Sequence, residues 1–456
     1  MRRGFVFDAA LCVSCKACNA ACILENGLQP GTRNIYTWND SGLPLMSVIS
    51  LSLACNHCEK PACAEGCPAK AYTIEGNGVV IHHADRCMGC GYCTWRCPYD
   101  APKINHALGY IEKCHFCADR ALEGIEPACV TACPTGALKM SEREHFDGVL
   151  PAWFPETGIG PSLILKNADR YTGPEIIPYE TGADEEETDP DHNEDHSEGQ
   201  NPDPDRMQKE WSLMLFSLMV ISASALMIFS ALKGTVGSGL LPVLLLTGAM
   251  AVSVAHLGVP GKAWRALLNI VSSPLSREIA MVGILAVIAI LILVAPDLIP
   301  PVVVVITALL TLISIDLVFF AADRSFSLKL HSGQAFFSGI YAVSWFIKPD
   351  YIFLVFSMLA ALSVVMRYGS AGRSPLVRNL YYFRAMTLPL VFLLIYPGTP
   401  LTNIAALVLF MAGVVADRML FYYDFNPVNI KETISEHFNT EYEKERDKQR
   451  KDSGIS

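Results

Sequence analysis

Downstream of Trp211 the chain alternates long apolar runs with short breaks rich in proline or charge. A helix needs about 20 apolar residues to cross a bilayer. Eight runs qualify: 211–232, 239–257, 279–295, 301–321, 333–348, 351–368, 384–397 and 401–422, the fifth and seventh being short. "APDLIPP", "IKPDY" and "YPGTP" make tight, proline-bearing reversals of the kind that join antiparallel helices. Trp211, Trp264 and Trp345 fall near segment ends, where amphipathic rings favour the membrane interface. A soluble helical core would need polar faces, and these runs leave none. The pattern predicts an all-α bundle of eight transmembrane helices over 207–423, followed by a charged tail, 424–456, with no assigned role.

Upstream the character changes. All 16 cysteines lie between Cys12 and Cys133, in four groups of four. Group one is Cys12, Cys15, Cys18 and Cys22; group two is Cys55, Cys58, Cys63 and Cys67. Group three is Cys87, Cys90, Cys93 and Cys97; group four is Cys114, Cys117, Cys129 and Cys133. Groups one and three have the spacing C-x2-C-x2-C-x3-C, in which three thiolates wrap one [4Fe–4S] cubane and the fourth reaches a neighbouring cluster. Cys67, Cys97 and Cys133 are followed by proline, whereas Cys22 is followed by Ile23. A disulfide framework does not explain four tetrads. Structural zinc takes paired cysteines rather than three in one compact turn. Four complete cubanes are therefore expected.

Groups two and three lie as close as the two halves of a small ferredoxin, and groups one and four flank them. This predicts an α+β ferredoxin-like domain over 1–179, built as one two-cluster module nested in another. Cys12, Cys15 and Cys18 then share a cluster with Cys133, and Cys114, Cys117 and Cys129 with Cys22. Cys55, Cys58 and Cys63 go with Cys97, and Cys87, Cys90 and Cys93 with Cys67. Sequential pairing of group one with group two stays open. Lys113 and Arg120 flank group four's "CHFC" turn, where cations would raise a cluster's potential. Four clusters with no substrate-binding group beside them read as an electron wire.

Much of the formal charge of −10 is local, in "GADEEETDPDHNEDHSEG". With almost no apolar residues that stretch cannot offset its ordering entropy, so 180–206 is expected to be an exposed acidic linker. "MRRGFVF" hints at a twin-arginine signal, but no apolar stretch or cleavage site follows, and export would have to be as a partner's passenger.

Eight crossings would return the chain to its starting side. The loops there hold Lys262, Arg265, Arg277, Arg324, Lys329, Arg367, Arg373, Arg378 and Arg384, against Lys233 and Lys348 opposite. The positive-inside rule then puts the cysteine domain in the cytoplasm, with the chain multi-pass in the inner membrane.

Both halves resemble the iron–sulfur and membrane-anchor subunits of the dimethyl sulfoxide reductase family, fused in one chain. The first half carries the resemblance through its four cysteine groups and "CNHCEKPAC", "RCPYDAPK", "KCHFCADR" and "ACVTACPTGAL"; the bundle carries it through "HLGVPGKAWRALLN" and "SPLSREI". The resemblance implies a haem-free anchor that oxidises menaquinol. It also implies a separate catalytic subunit holding a molybdenum or tungsten bis-pterin guanine dinucleotide centre. Lipid is the other partner, and no nucleic acid is expected. By the same analogy the cluster nearest the quinol is that of Cys87, Cys90 and Cys93, or its nested mate.

Only His256 and His331 lie among the helices, both at ends on one side, which leaves no facing imidazole pair for haem b. Ionisable residues at a bilayer's edge are costly and often functional. His256 is expected to accept from a quinol hydroxyl, Glu278 to relay the proton, and Arg277 to orient Glu278 or the quinone oxygen. Asp316 and Asp417 are weaker candidates. Between His256 and Glu278, Trp264 suits an interfacial helix. Two other readings are the same wire run in reverse, as a dehydrogenase reducing quinone, and a redox-sensing membrane transporter.

Overall fold

The computed structural model describes residues 1–38, 48–146, 150–151, 153–154, 156–168, 211–234, 239–322, 335–336, 338–340, 343, 375–395, 400–424 and 430–452. The expected linker at 180–206 and the sixth apolar run lie outside the described residues, as do His331, Arg324, Lys329, Arg367 and Arg373. Two compact units divide the chain: Met1–Gln200 with Val428–Ser456, and Asn201–Pro427.

The first unit alternates short strands with short helices. Strand β1 (Arg2–Asp8) is central in a three-stranded sheet. It pairs antiparallel with β8 (Leu138–Arg143) and parallel with β9 (Leu163–Lys166). Its side chains alternate as a strand requires: Phe5 and Phe7 enter the main core, while Val6 meets Phe146 and Ile164. Gly4 permits this packing, because a Cβ there would sit 2.2 Å from the Ser162 carbonyl oxygen and 2.5 Å from the Phe146 ring. Three antiparallel hairpins complete the strands: β2 (Asn34–Trp38) with β3 (Ile49–Leu53), β4 (Tyr72–Ile74) with β5 (Val80–His82), and β6 (Lys103–Asn105) with β7 (Tyr110–Glu112). Helices α1 (Ala17–Asn26), α2 (Ala62–Glu65), α3 (Tyr92–Arg96), α4 (Ala118–Leu122) and α5 (Ala128–Thr131) follow or carry the cysteines.

The second unit is helical among its described residues. Helices α6 (Trp211–Lys233), α8 (Pro274–Val294) and α9 (Pro301–Ala322) are each long and apolar enough to cross a membrane. Helix α7 (Leu240–Ala255) and a 3-10 helix (Pro260–Leu267) together would make a fourth, but a 113° bend separates them. Trp264, in the second arm of that bend, is exposed, and the Arg265 guanidinium lies 5.3 Å from its ring centroid. Helix α10 (Pro375–Ile395) holds residues 384–395 of the seventh apolar run, helix α11 (Pro400–Asp424) contains the eighth, and the two pack on each other.

Helix α8 starts at Pro274, ahead of the apolar run at about 279–295: Ser273 caps it by accepting from the Ser276 N–H, and Pro274 takes the first turn, where its missing N–H is harmless. Arg277 and Glu278 lie in its first turns, as expected of residues that begin the third helix. One expectation about this unit needs correction. Arg384, counted above as a loop cation, is instead a buried helical residue ion-paired with Asp417 at 3.3 Å. It drops out of the charge count that sets orientation.

The C-terminal tail, left without a role in the sequence reading, contributes to the first unit's core. Ile430–Asp452 forms helix α12, which belongs to the first unit. Ile430, Ile434 and Phe438 recur every fourth residue on one stripe and are buried in the same core as Trp38 and Trp153. The Trp38 indole N–H donates to Ser435 at 3.0 Å, and the Ile430 N–H donates to the Pro98 carbonyl at 2.8 Å. Tyr442, one further turn along, packs against the same core, and the many charged residues between these positions mask the stripe in the bare sequence.

Candidate functional site

Each cysteine group opens on a Cys-x-x-Cys loop, and all four loops share one backbone feature. The residue just before the second cysteine has positive φ: Ser14 at 53°, His57 at 44°, Gly89 at 72° and Phe116 at 62°. For a side chain other than glycine this left-handed conformation costs roughly 1–3 kcal/mol, and it persists where surroundings over-determine it. The turn curls the backbone around the thiol ahead of it. The Gly89 N–H reaches Cys87 Sγ and the Phe116 N–H reaches Cys114 Sγ, both at 3.4 Å. Three of the four loops carry that strain, Gly89 adopting the turn freely, and the shared turn fits loops built round one kind of anionic sulfur centre.

The fold then brings distant cysteines to these loops. Cys12 has Cys18, Cys133 and Cys15 as charged neighbours. Cys22 has Cys129 and Cys117, and Cys114 has Cys22 and Cys129. Cys58 has Cys55, Cys97 and Cys63, and those four line one cavity. Cys90 has Cys67 and Cys87, and Cys93 has Cys90 and Cys67. These are the neighbours of the nested arrangement. Between the foursomes, Cys18 adjoins Cys22, Cys114 adjoins Cys55, and Cys93 adjoins Cys63. The foursomes thus form a row, with that of Cys12 at one end and that of Cys67 at the other.

The donor set fits iron–sulfur chemistry. Burial, with neighbouring thiols adding to it, pushes Cys22 up to about 11 and Cys90 up to about 12. Crowded, dry thiols keep their protons unless a cation displaces them, as a coordinated metal does. Among the described residues no three His, Cys, Asp or Glu side chains converge on a single-ion position. A donor set made of thiolates alone, four to a set, suits the soft-ligand chemistry of an iron–sulfur core.

Of the two predicted tuning residues, Lys113 is buried, and its ammonium donates to the Val80 carbonyl at 2.5 Å, the Cys114 carbonyl at 2.7 Å and Cys55 Sγ at 3.5 Å. It stands at the junction of two foursomes. Arg120 is at the surface, paired with Glu25 at 3.2 Å and donating to the Glu126 carbonyl. A surface pair of this kind carries little energy. Sequence reading missed Arg33, which is 1% exposed and has Cys129, Cys114, Cys22 and Cys18 as its charged neighbours. Nothing local marks it, since it lies well away from every cysteine motif in the sequence.

Residues 46–143 match the family model described as a 4Fe-4S dicluster domain. One of the chains of the anaerobic dimethyl sulfoxide reductase of Escherichia coli (strain K12) is 37% identical over 188 residues, covering 37% of this protein and 92% of the relative. The protein belongs to the iron–sulfur subunits of the dimethyl sulfoxide reductase family. A tetrathionate reductase subunit of Salmonella typhimurium is 37% identical over 184 residues, 37% of this protein and 73% of that relative. The formate dehydrogenase-O iron-sulfur subunit of E. coli is 35% identical over 158 residues, 30% of this protein and 53% of that relative. By their names these relatives are single chains of multi-subunit reductases or dehydrogenases, one of them an iron-sulfur subunit.

Within the helical unit, the candidate quinol residues divide. His256 ends α7, and its Nδ1 lies 2.9 Å from the Ser212 hydroxyl of α6. Glu278 is buried in α8, while Arg277, its neighbour in the chain, is exposed. Consecutive helical residues point about 100° apart, so the expected Arg277–Glu278 partnership does not form. The charges that act on Glu278 are Arg418, from α11, and Asp316, from α9. Arg418 is fully buried, its guanidinium 5.2 Å from the Phe421 ring centroid, and none of its three nitrogens has a hydrogen-bond partner among the described residues. Asp316 accepts the Ala335 and Phe336 N–H groups at 2.8 Å each, and Asp417 pairs with Arg384. Both aspartates thus have structural partners. Arg418 escaped sequence reading because it sits near the end of an apolar run, where it looks like a flanking charge.

Proposed function

We propose that this chain is both the electron-transfer and the membrane-anchor subunit of a molybdopterin oxidoreductase complex. It oxidises menaquinol within its helices and passes electrons along four [4Fe–4S] clusters to a separate catalytic subunit. The observation that carries the reading is the row of four cysteine foursomes on the same polypeptide as a set of membrane-length helices. The ligand sets are Cys12, Cys15, Cys18 with Cys133; Cys114, Cys117, Cys129 with Cys22; Cys55, Cys58, Cys63 with Cys97; and Cys87, Cys90, Cys93 with Cys67. The clusters supply one-electron carriers, and the protein's part is to hold them in a row and set their potentials. The catalytic partner would hold a molybdenum or tungsten bis-pterin guanine dinucleotide centre, as the family resemblance implies.

The helical part is an eight-helix, haem-free anchor in the inner membrane, with the cysteine domain on the cytoplasmic side. Lys262, Arg265, Arg277 and Arg378 support that orientation by the positive-inside rule. His256 and Glu278 handle the quinol protons. Ser212 fixes the His256 ring through Nδ1, which leaves Nε2 for a quinol hydroxyl, and buried Glu278 faces the cation Arg418. Burial and a defined partner suit both groups to proton exchange. Arg277 keeps a place at the outer rim, where it can meet a quinone oxygen.

Membranes containing the protein, treated anaerobically with a menaquinol analogue, should develop EPR signals of reduced clusters. His256→Ala should keep full iron and sulfide content and full reduction by dithionite while losing reduction by quinol. Unchanged quinol kinetics in that variant rejects the quinol role. The likeness to a formate dehydrogenase iron–sulfur subunit favours a second reading, in which electrons run from the partner to quinone. Partner-driven quinone reduction outpacing quinol oxidation would select it.

A further inference from the structure

Arg33 is a buried cation with no carboxylate partner among the described residues. It is 1% exposed, and among the described residues its one hydrogen bond runs from Nη1 to the Ser52 hydroxyl at 2.9 Å. Its guanidinium lies 4.7 Å from the Phe5 ring centroid. Nε and Nη2 are buried and lack hydrogen-bond partners among the described residues. Leaving a guanidinium this dry costs several kcal/mol unless an anion compensates. The charges acting on it are sulfurs: Cys129, Cys114, Cys22 and Cys18. Three belong to one foursome and the fourth to the next in the row.

Lys113 provides the contrast. Its ammonium already has two carbonyls and a thiol as acceptors, so its donors are accounted for within the protein. Arg33 has two donors left over, at the first junction of the row. A guanidinium never loses its proton and presents its donors as a rigid fork, so it is a permanent charge with a fixed aim. Hydrogen bonds and positive charge near cluster sulfurs stabilise the reduced, more negative state.

We infer that Arg33 is a redox-tuning residue: Nε and Nη2 donate to the sulfurs of the cluster held by Cys22, Cys114, Cys117 and Cys129, raising its reduction potential above that of the neighbour containing Cys18. This rests on reading that foursome as a [4Fe–4S] site, a reading that wild-type iron and sulfide content decides separately. Arg33 would make the second station of the row the better electron acceptor, and so create a potential step between the first two.

The test is an EPR-monitored redox titration of the full-length protein in its membrane. In Arg33→Gln, one cluster's reduced-to-oxidised ratio at a fixed potential should fall at least about tenfold, which is about 59 mV for one electron. The other clusters should hold their potentials, apart from a smaller drop at the one containing Cys18. In Arg33→Lys, which keeps the charge and loses the fork, the drop should be smaller. Wild-type protein labelled with 15N-arginine should show nitrogen coupling on that same reduced signal, absent in Arg33→Lys, and this arm does not depend on the glutamine variant assembling. Potentials unchanged in Arg33→Gln with iron content intact, all four potentials falling together, or no arginine nitrogen coupling would each overturn the proposal.

Discussion

Helix α12 is anchored by one narrow stripe, and Phe438 is its largest member. The ring is 2% exposed, with its centroid 6.2 Å from that of Trp38 and 5.6 Å from that of Trp153. Cutting a buried phenylalanine to alanine costs about 3–5 kcal/mol, from lost transfer energy and the cavity left behind. Burial of Ile430 and Ile434 contributes roughly 1.5–3 kcal/mol each, so Phe438→Ala removes a large share of what holds the helix down. Most helical stability in proteins comes from such packing, and the loss should appear as local opening. At about 1.36 kcal/mol per decade, the opening equilibrium should rise roughly 10²-fold to nearly 10⁴-fold. Hydrogen–deuterium exchange reads this directly, as faster exchange of amides in 431–452 with β1 and β8 still protected. Because the Ile430 N–H holds the Pro98 carbonyl, next to Cys97, chelators should also strip iron from that site sooner. Glu436→Ala, at an exposed position, is the control and should change neither. Unchanged protection in α12, or loss spread evenly over the domain, would refute the reasoning.

The pairing of the foursomes predicts that Cys22→Ser perturbs the cluster of Cys114, Cys117 and Cys129 and spares that of Cys12, Cys15 and Cys18; EPR lineshapes of the reduced protein distinguish the two. Lys113→Met should lower the potential of the cluster beside Cys55. A unit charge at ~6–8 Å and an effective dielectric near 20 contributes roughly 2–3 kcal/mol, and a titration showing no shift would count against the tuning role. Arg418→Gln should destabilise the helical unit by about 3–5 kcal/mol, because it leaves Glu278 and Asp316 buried without their cation. Arg277→Ala, at an exposed position, should stay within about 0.5 kcal/mol; thermal inactivation in detergent compares them.

What could be read along the sequence was whatever is written locally. A Cys-x-x-Cys loop uses neighbouring residues to hold neighbouring thiolates, so spacing alone singles out all 16 cysteines and their chemistry. Membrane helices are likewise local, since a run long and apolar enough to span needs no partner to be recognised. His256 and Glu278 stood out as costly residues beside such runs, and both prove to be partly or fully enclosed.

Long-range features needed the tertiary structure. Spacing left two pairings open for Cys22, and what bears on them comes from the fold, which brings Cys129 and Cys114 near it. Arg33, Arg384 and Arg418 look like ordinary charges in the sequence, because what distinguishes them is burial against residues far away along the polypeptide. The failed partnership of Arg277 and Glu278 has a simple cause, since adjacency in a helix sets two side chains pointing apart. The tail could be given no role from its sequence because its apolar stripe is only one residue in four, and no local signal says that Trp38 and Trp153 wait to cover it. Local chemistry was thus legible from the amino-acid order. Which distant group faces which could be decided only where folding brings them within reach and excludes water.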